Sequence, residues 1–483
     1  MNIYGFGHWF GVKNIVVLLL DTARASDVNS NRRLATISGL ARKGTAYMNA
    51  IAPGTWTAPT HASLFTDQRV SSIRHVSQDF FHNGTYKIDP WMVKTKFLGS
   101  DSVTIAQKVR ELGHYSVMFS NNPFLSSFTN LAMGFNKVYD TWLTSNLKYN
   151  KSLAGRLSFI VNGGATARSL MFHTSSLLTR VLPNRVLDSL YLRLRHRLSD
   201  GIAKADGTHM LDRGARDANK ALRNYLTYDY NYKPNFMFIN YIEAHENYPV
   251  SSSSEVVQDK WLYLSGIEDM DEDATGKLHS GYLKRIEYLD RAVKEALRIL
   301  KERGILDDAT VVITSDHGQF FGEHGMLYHS MPPYQEVTHV PLIAANYENG
   351  KIVTANDRVG KPVSLLALHR ALLNLASGKE QRLNGNLRSS RYVLSEHTGI
   401  CEGWDESLLR MLKPRSASAA LIYKAKSRFN MKATAVYKGN MKLIHYFGRR
   451  RDELYNLAED PSESSNIMDS NRALANELAR QAA

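Results

Sequence analysis

Three short apolar runs, each followed by polar side chains, constrain the fold of this 483-residue chain more than any other feature. The runs and the polar residues after them are 14–20 with Asp21, 236–240 with Glu243 and His245, and 310–314 with Asp316 and His317. A continuous apolar run of this length is typical of a strand that is buried on both faces of a parallel sheet. Helical patterns lie between the runs, at 102–112 and 282–303, and each stops at a glycine. The sequence therefore predicts an α/β fold with a doubly wound sheet, in which sites form at the carboxyl ends of the strands.

The character of the chain changes twice along its length. Residues of about 145–230 combine helical patterns with an excess of arginine, and strand-like pieces appear at 391–394 and 442–445. We therefore expect a large domain over 1–380 that carries a helical insert at about 145–230, and a smaller C-terminal α+β subdomain over 381–483. The arginines of the insert favour the solvated basic face of a lid, and a surface for anionic membranes or nucleic acid is the alternative.

Charge and cysteine content limit the function. The chain has 60 Lys and Arg against 46 Asp and Glu, a net charge of +14, which favours an anionic partner or substrate. The one cysteine, Cys401, cannot form an internal disulfide, which argues against a secreted disulfide scaffold and a cysteine zinc finger. No stretch has the apolar core of a signal peptide or the length of a membrane span, so the expected location is the cytoplasm.

Two polar segments could carry chemistry. Asp316 and His317 could bind one divalent ion if the backbone turns sharply at Gly318. The alternative is a turn in which the Asp316 side chain bonds to the backbone. Thr57 precedes a helix predicted to begin at Thr60, and a hydroxyl at a helix N-terminus suits both an anion and an incipient alkoxide. A plain helix cap is the alternative there.

Several segments, taken in order, resemble one family. They are Asp21-Thr-Ala-Arg24 with Asp27, Thr57-Ala-Pro-Thr-His61 with Ser63-Leu-Phe-Thr66, His245 with Tyr248-Pro249, Thr314-Ser-Asp-His-Gly318 with Gly322-Glu-His-Gly325, Val340-Pro-Leu-Ile343, Lys442-Leu-Ile444, Glu453-Leu-Tyr-Asn-Leu457 and Asp460-Pro-Ser-Glu463. Over nearly the whole chain, apart from about 145–230, the sequence resembles the sulfatase branch of the alkaline phosphatase superfamily. The resemblance implies a large mixed, mostly parallel sheet between layers of helices.

The resemblance also implies the roles of particular residues. It places a single divalent-metal site at Asp21, Asp316 and His317, with Thr57 as the nucleophile and a further metal ligand. His245 and His329 lie where the family contacts the transferred anion. His61, Asn121 and Arg24 are the expected substrate-binding residues, with a buried ion pair to Asp27 as the alternative for Arg24. A second metal, held by Glu243, His245 and His329, stays open.

Departures from the family pattern favour phosphorus chemistry. The common pattern is Cys or Ser-x-Pro-x-Arg, whose Cys or Ser becomes formylglycine, whereas this chain has Thr57 and His61. Threonine cannot give that aldehyde, so no formylglycine is expected, and threonine nucleophiles occur in the phosphate branches of the superfamily. Thr22 and His317 replace a usual Asp and Asn. The imidazole favours Mn²⁺ or Zn²⁺ over Ca²⁺.

The sequence thus predicts a metal-dependent hydrolase that cleaves a phosphate monoester or diester, or a sulfate ester, through a covalent intermediate on Thr57. The expected substrate is an anionic small molecule or a glycan- or lipid-linked ester, and no nucleic-acid partner is expected. A true sulfatase that uses Thr57 directly is one alternative. A non-catalytic relative that binds anions is the alternative from another class.

Overall fold

The computed structural model describes residues 12–73, 97–143, 211–246, 248, 271–399 and 431–482, apart from a few positions within those ranges, together with Ala420, Tyr423 and Ser427. Cys401 and most of the insert predicted at about 145–230 lie outside the described residues. The division into domains at residue 380 stays a prediction.

Three parallel strands form the centre of the molecule. Strand β1 (Asn14–Leu20) lies between β6 (Asn235–Tyr241) and β7 (Asp308–Thr314), and it is parallel to both. Leu20 is paired with Tyr241, and Leu19 with Thr314, so the three strands end at the same edge of the sheet. The apolar runs of the sequence therefore form the buried strands that they predict.

The remaining strands make the sheet large and mixed. They are β2 (Thr45–Tyr47), β4 (Tyr115–Ser120), β5 (Lys137–Asp140), β11 (Leu342–Glu348), β12 (Lys351–Ile352) and β13 (Asp357–Val359). The nine strands run in the order β13-β2-β11-β7-β1-β6-β4-β5, with β12 beside β11. Most pairs are parallel, whereas β11 is antiparallel to β2, β7 and β12. The expected mixed, mostly parallel sheet is confirmed.

Helices cover both faces of this sheet. The helices of the described residues that are not short 3-10 or π turns are α1 (Ala25–Asn29), α2 (Ala35–Lys43), α3 (Thr57–Thr66), α4 (Ile105–Glu111), α5 (Ala215–Asn224), α6 (Glu272–Glu302), α7 (Gln335–Thr338), α8 (Leu365–Ala376) and α9 (Arg472–Ala482). Val16, Leu18 and Leu20 of β1 belong to a core with α2, α5 and α6. The alternate residues of β1 belong to a second core with α3, α4 and α8. Burying each such side chain stabilises the fold by about 1.5–3 kcal/mol.

Local capping explains where two helices begin. Helix α4 begins at Ile105, because Thr104 and Gln107 form a reciprocal capping box. Helix α6 begins at Glu272, well before the predicted start at 282, because the Asp271 side chain accepts a hydrogen bond from Ala274 N at 2.8 Å. The predicted start of α3 at Thr60 is also too late, since the helix begins at Thr57.

Smaller sheets complete the structure. They are a three-stranded sheet of β3 (Ala50–Ile51), β10 (His339–Val340) and β14 (Val363–Ser364), a hairpin of β8 (Phe320–Phe321) and β9 (Leu327–Tyr328), and an antiparallel C-terminal sheet of β15 (Val393–His397), β16 (Ala433–Lys438), β17 (Met441–Tyr446) and β18 (Glu453–Asn456). Helix α9 packs on the C-terminal sheet. Within the described residues, none of the helices combines the length and apolar character that crossing a membrane requires.

Candidate active site

Asp21, Asp316 and His317 meet at the carboxyl edge of the central sheet. Asp21 directly follows β1, and Asp316 follows β7 after one residue. One ligand atom from each of the three buried side chains lies within 4.8 Å of the other two. Asn122, which follows β4, donates from Nδ2 to Asp21 Oδ2 at 2.7 Å. The structure therefore brings the three predicted metal ligands together.

The electrostatics of this cluster fit a divalent cation. Asp21 Oδ1 and Asp316 Oδ2 are buried and have no hydrogen-bond partner among the described residues. Burial, together with the neighbouring Asp316 carboxylate, raises the pKa of Asp21 to about 6. Burial also raises the pKa of Asp316 to about 7. Two buried carboxylates that repel each other need a compensating charge, and carboxylate with imidazole is a donor set for a transition-metal ion.

Thr22 turns the backbone between the two carboxylates. Its φ is 64°, a left-handed conformation that is strained for a β-branched residue. In this conformation Thr22 N donates to Asp316 Oδ1 at 3.2 Å, and Thr22 O accepts from the Tyr282 hydroxyl at 3.2 Å. The strained turn thus links the end of β1 to the ligand that follows β7.

Thr57 lies beside the cluster, at the first residue of α3. Its side chain is almost fully buried, and its Oγ1 lies 3.3 Å from His317 Nε2. The His317 ring is held from the other edge, because Nδ1 lies 2.9 Å from Gly318 O. Gly318 is required by close packing, since a Cβ there would lie 2.0 Å from Glu336 O. The hydroxyl thus lies at a helix N-terminus, where free N–H groups and the helix dipole favour negative charge.

His61 packs beneath Thr57. Its Nδ1 lies 2.8 Å from Thr57 O and 3.6 Å from Asp316 Oδ2, and the side chain is fully buried. Burial lowers the pKa of His61 to about 3, so the imidazole is neutral. Its ring contacts the edges of Phe65 and Phe238. These contacts support the first turn of α3, and a direct contact of His61 with substrate stays a prediction.

Arg24 and Asn121 also have structural partners. Arg24 donates from Nε to Gln319 O, and its Nη2 lies 2.9 Å from Glu323 Oε1, whereas Asp27 is 3.9 Å away. Arg24 is therefore close to the alternative given for it, a buried ion pair, but its principal partner is Glu323 and not Asp27. Asn121 is buried and accepts a hydrogen bond from the Thr141 hydroxyl. Substrate binding by either residue stays a prediction.

His245 and His329 extend the site away from Thr57. The His329 ring centroid lies 4.6 Å from that of His317 and 4.9 Å from that of His245, so the three imidazoles form a row. The acidic residue beside the outer pair is Glu246. Glu243, the residue considered for a second metal, instead accepts from Arg213 N at 3.0 Å and Ala215 N at 2.6 Å. In the described residues, Glu246 rather than Glu243 is the carboxylate grouped with His245 and His329, and a second metal stays a prediction.

Three site residues are missed by the sequence reasoning: Asn122, Glu246 and Gln319. Each one directly follows a residue or motif that the sequence singles out, and each lies shortly after a central strand. Position after a strand end is the one signal that could find them. Asn122 contacts Asp21, and Glu246 contacts His329 and Gln319, so these contacts between distant segments are visible only in the fold.

The chain is similar in sequence to known sulfatases. The family model described as Sulfatase matches residues 13–379. Arylsulfatase K of Canis lupus familiaris is 28% identical over 234 residues, which cover 43% of this chain and 39% of the canine protein. Choline-sulfatase of Rhizobium meliloti (strain 1021) is 34% identical over 77 residues, which cover 16% of this chain and 15% of that protein. The chain thus aligns with well under half the length of these two relatives.

Solved structures share the fold. The phosphonate monoester hydrolase of Agrobacterium radiobacter matches with a TM-score of 0.58 at 14% identity, over 97% of this chain and 94% of that one. A putative sulfatase from Bacteroides thetaiotaomicron matches with a TM-score of 0.56 at 15% identity, over 97% and 92% of the two chains. Because the family model matches more than half of its residues, this chain belongs to the sulfatase family.

Proposed function

We propose that the chain is a metal-dependent hydrolase that cleaves a phosphate monoester or diester through a covalent intermediate on Thr57. The observation that supports this most is the place of the Thr57 hydroxyl, at the N-terminus of α3 and 3.3 Å from His317 Nε2. A family member with threonine there has a nucleophile that can form a phosphoester without prior oxidation. The same arrangement suits an anionic substrate, including a glycan- or lipid-linked ester.

Asp21, Asp316 and His317 would hold the divalent ion, with Mn²⁺ or Zn²⁺ favoured by the imidazole. When bound, such an ion supplies Lewis-acid stabilisation of the charge that develops on the transferred group. The residues of the chain do the rest. Thr57 gives up its hydroxyl proton to solvent and Oγ1 attacks phosphorus as the bond to the leaving oxygen breaks, and that oxygen takes up a proton from solvent to leave as an alcohol. His245 and His329 contact the oxygens of the transferred group. Water then hydrolyses the phosphothreonine and restores Thr57.

The comparisons give a reason to keep sulfate esters as the second candidate. The curated relatives that match are sulfatases, including arylsulfatase K and choline-sulfatase. Two structural neighbours are phosphonate monoester hydrolases, so the fold also carries chemistry on phosphorus. The aldehyde that drives ordinary sulfatases is absent from a threonine side chain. We therefore favour the phosphoester over a sulfatase that uses Thr57 directly.

Hydrolysis rates test the proposal. Wild-type protein with added Mn²⁺ is assayed on an aryl phosphate monoester, an aryl phosphodiester and an aryl sulfate, next to Thr57→Ala and Asp316→Ala. We expect the highest kcat/KM on a phosphoester and a loss of activity of at least about a thousandfold in both variants. Thermal melting of Thr57→Ala within a few degrees of wild type excludes misfolding. Activity retained by Thr57→Ala would refute the nucleophile assignment.

Metal content separates an enzyme from an anion-binding relative. Purified protein is analysed for bound divalent metal, and activity is measured before and after chelation. We expect close to one equivalent per chain and a loss of hydrolysis on chelation that added Mn²⁺ reverses. Protein that binds no metal and stays inactive on metal addition would support the non-catalytic alternative.

A further inference from the structure

Two polar side chains lie behind the outer histidines of the row. Glu246 Oε2 lies 3.0 Å from His245 Nδ1 and 3.5 Å from His329 Nδ1. Gln319 Oε1 lies 2.8 Å from His329 Nδ1, and its Nε2 donates to Glu246 Oε2 at 3.0 Å. The Glu246 carboxylate therefore faces Nδ1 of both rings, and the Gln319 amide oxygen faces Nδ1 of His329. His245 Nδ1 also lies 3.1 Å from the backbone oxygen of Glu246.

This support determines which nitrogen of each ring carries a proton. A carboxylate accepts hydrogen bonds and cannot donate them when ionised, and the Gln319 amide already uses Nε2 as a donor to Glu246. His245 and His329 therefore present N–H at Nδ1 to these oxygens. The Nε2 atoms, on the opposite edge of each imidazole, are left for groups in the cleft. His317 has the same polarity, with Nδ1 toward Gly318 O and Nε2 toward Thr57.

The supporting pair is itself anchored from two elements. Gln319 is fully buried, and its backbone N donates to Glu336 O at 2.8 Å. Its Nε2 also lies 2.5 Å from the Tyr248 hydroxyl, which donates to Ala244 O at 2.9 Å. The network thus joins the segment after β6 to the segment after β7, the two segments that carry His245 and His317.

We propose that Glu246 and Gln319 are positioning residues that hold His245 and His329 with Nε2 facing the transferred anion. The inference rests on the proposed function, because it assigns the anion contact to these histidines. A second metal site at His245, Glu246 and His329 would use the Nδ1 atoms as ligands, because Glu246 faces the Nδ1 edges. In our proposal these Nδ1 atoms carry protons that bond to Glu246 and Gln319, and the Nε2 atoms face the substrate.

A comparison in two backgrounds tests the inference. Glu246→Ala is introduced into wild type and into His245→Ala/His329→Ala, and two quantities are measured: kcat/KM on the preferred aryl ester and affinity for inorganic phosphate by calorimetry with Mn²⁺ present. In wild type we expect a loss of about ten- to a hundredfold in kcat/KM, the size seen for carboxylates that orient an imidazole. In the background without the two histidines, we expect less than about a twofold further change. An equal loss in both backgrounds would show a general structural role and overturn the inference.

Two further variants serve as controls: a conservative substitution of Glu246, and a substitution in a similar carboxylate–histidine pair far from the site. Glu246→Gln keeps an oxygen acceptor beside the two rings and should recover most of the lost kcat/KM, whereas no recovery would count against positioning. Asp452→Ala is the matched control, because Asp452 Oδ2 lies 2.8 Å from His445 Nδ1 in the C-terminal sheet and is as buried as Glu246. It should leave kcat/KM unchanged.

Metal analysis distinguishes the remaining outcomes. Under the inference, Glu246→Ala and wild type contain the same amount of Mn²⁺ per chain after equilibration. Loss of one equivalent in Glu246→Ala would make the trio a metal site and overturn the inference. A wild type that neither hydrolyses the esters nor binds phosphate would refute the proposed function, and the inference with it. An active wild type with an unaffected Glu246→Ala refutes the inference alone.

Discussion

Burial and charge conflict at Asp21 and Asp316. Both side chains are fully buried, and each leaves one carboxylate oxygen without a hydrogen-bond partner among the described residues. The hydrogen bonds to Asp21 Oδ2 and Asp316 Oδ1 only partly offset the cost of burying the charge. The fold therefore keeps these two residues close together at the expense of its own stability in the absence of a cation.

Metal-free protein should lose stability as the pH rises. The folded-state pKa values, about 6 for Asp21 and about 7 for Asp316, lie above the ordinary value of 3.8. The folded state therefore binds these protons more tightly than the unfolded chain. Their stabilising contribution is complete below about pH 3.8 and declines as the pH rises through 6 and 7. For Asp21 this amounts to about 3 kcal/mol.

Thermal melting between pH 5 and pH 8 checks this prediction, with EDTA in one series and Mn²⁺ in the other. We expect a clear fall in Tm across this range with EDTA and a much smaller fall with Mn²⁺, because the cation compensates both carboxylates. Asp316→Asn in EDTA serves as the control and should show a flatter pH dependence. Parallel curves in the two series would contradict the prediction.

At the scale of elements, the start of α3 is set by contacts from the C-terminal sheet. Glu396, in β15, accepts from Arg69 Nη2 at 2.6 Å and from Ser71 N at 2.9 Å, and its own N donates to Pro53 O at 2.9 Å. The neighbouring His397 Nδ1 lies 2.8 Å from Thr55 Oγ1. Strand β15 thus fixes the segment on each side of helix α3.

These contacts also show what the sequence could and could not predict. The strands at 14–20 and 308–314 are continuous apolar runs, so a local pattern was enough to find them and the polar residues after them. The start of α3 at Thr57 was not predictable in this way, because its N-cap, Trp56, contributes no side-chain cap. Glu246 and Gln319 were missed because the contacts of Glu246 with Gln319 and His329 join different segments of the chain.

Removing the Glu396 carboxylate should destabilise the protein and slow hydrolysis. Glu396→Ala removes a nearly buried carboxylate that accepts hydrogen bonds from Arg69 and Ser71, and these donors lose their acceptor. We expect the free energy of unfolding to fall by about 2–3 kcal/mol. Urea denaturation should show a lower midpoint with an unchanged slope. Glu287→Ala is the control, since it pairs with Arg33, which is 80% exposed, and it should lower the midpoint much less. Equal costs for the two variants would contradict the role given to β15.

At the scale of the whole molecule, the C-terminal sheet and the segment that carries His329 share one apolar core. Phe320, Met331 and Val337 pack with Ala435 and Ile444 in this core. A fully buried ion pair lies in the same region, with Lys442 Nζ 2.6 Å from Glu463 Oε1. Glu463 Oε2 also accepts from Gln335 N at 2.6 Å. The ion pair therefore joins the C-terminal sheet to the segment that follows the active site.

Replacing one partner of this pair should be more harmful than replacing both. Burial lowers the pKa of Lys442 and raises the pKa of Glu463, so each charge is stable mainly because of the other. Lys442→Met leaves a buried carboxylate alone and should lower the free energy of unfolding by about 3–5 kcal/mol. Adding Glu463→Gln removes that charge and keeps an oxygen for Gln335 N, so the double variant should regain at least about 2 kcal/mol.

Urea denaturation of the wild type, the two single variants and the double variant measures this coupling. The exposed pair Arg298–Glu302 is the control, and its coupling should be much weaker than that of Lys442 and Glu463 because water screens both charges. Additive losses at Lys442 and Glu463 would show that the two charges do not depend on each other. A strong coupling would mean that the C-terminal sheet holds the segment with His329 through electrostatics as well as apolar packing, so that loss of the pair should also lower kcat/KM.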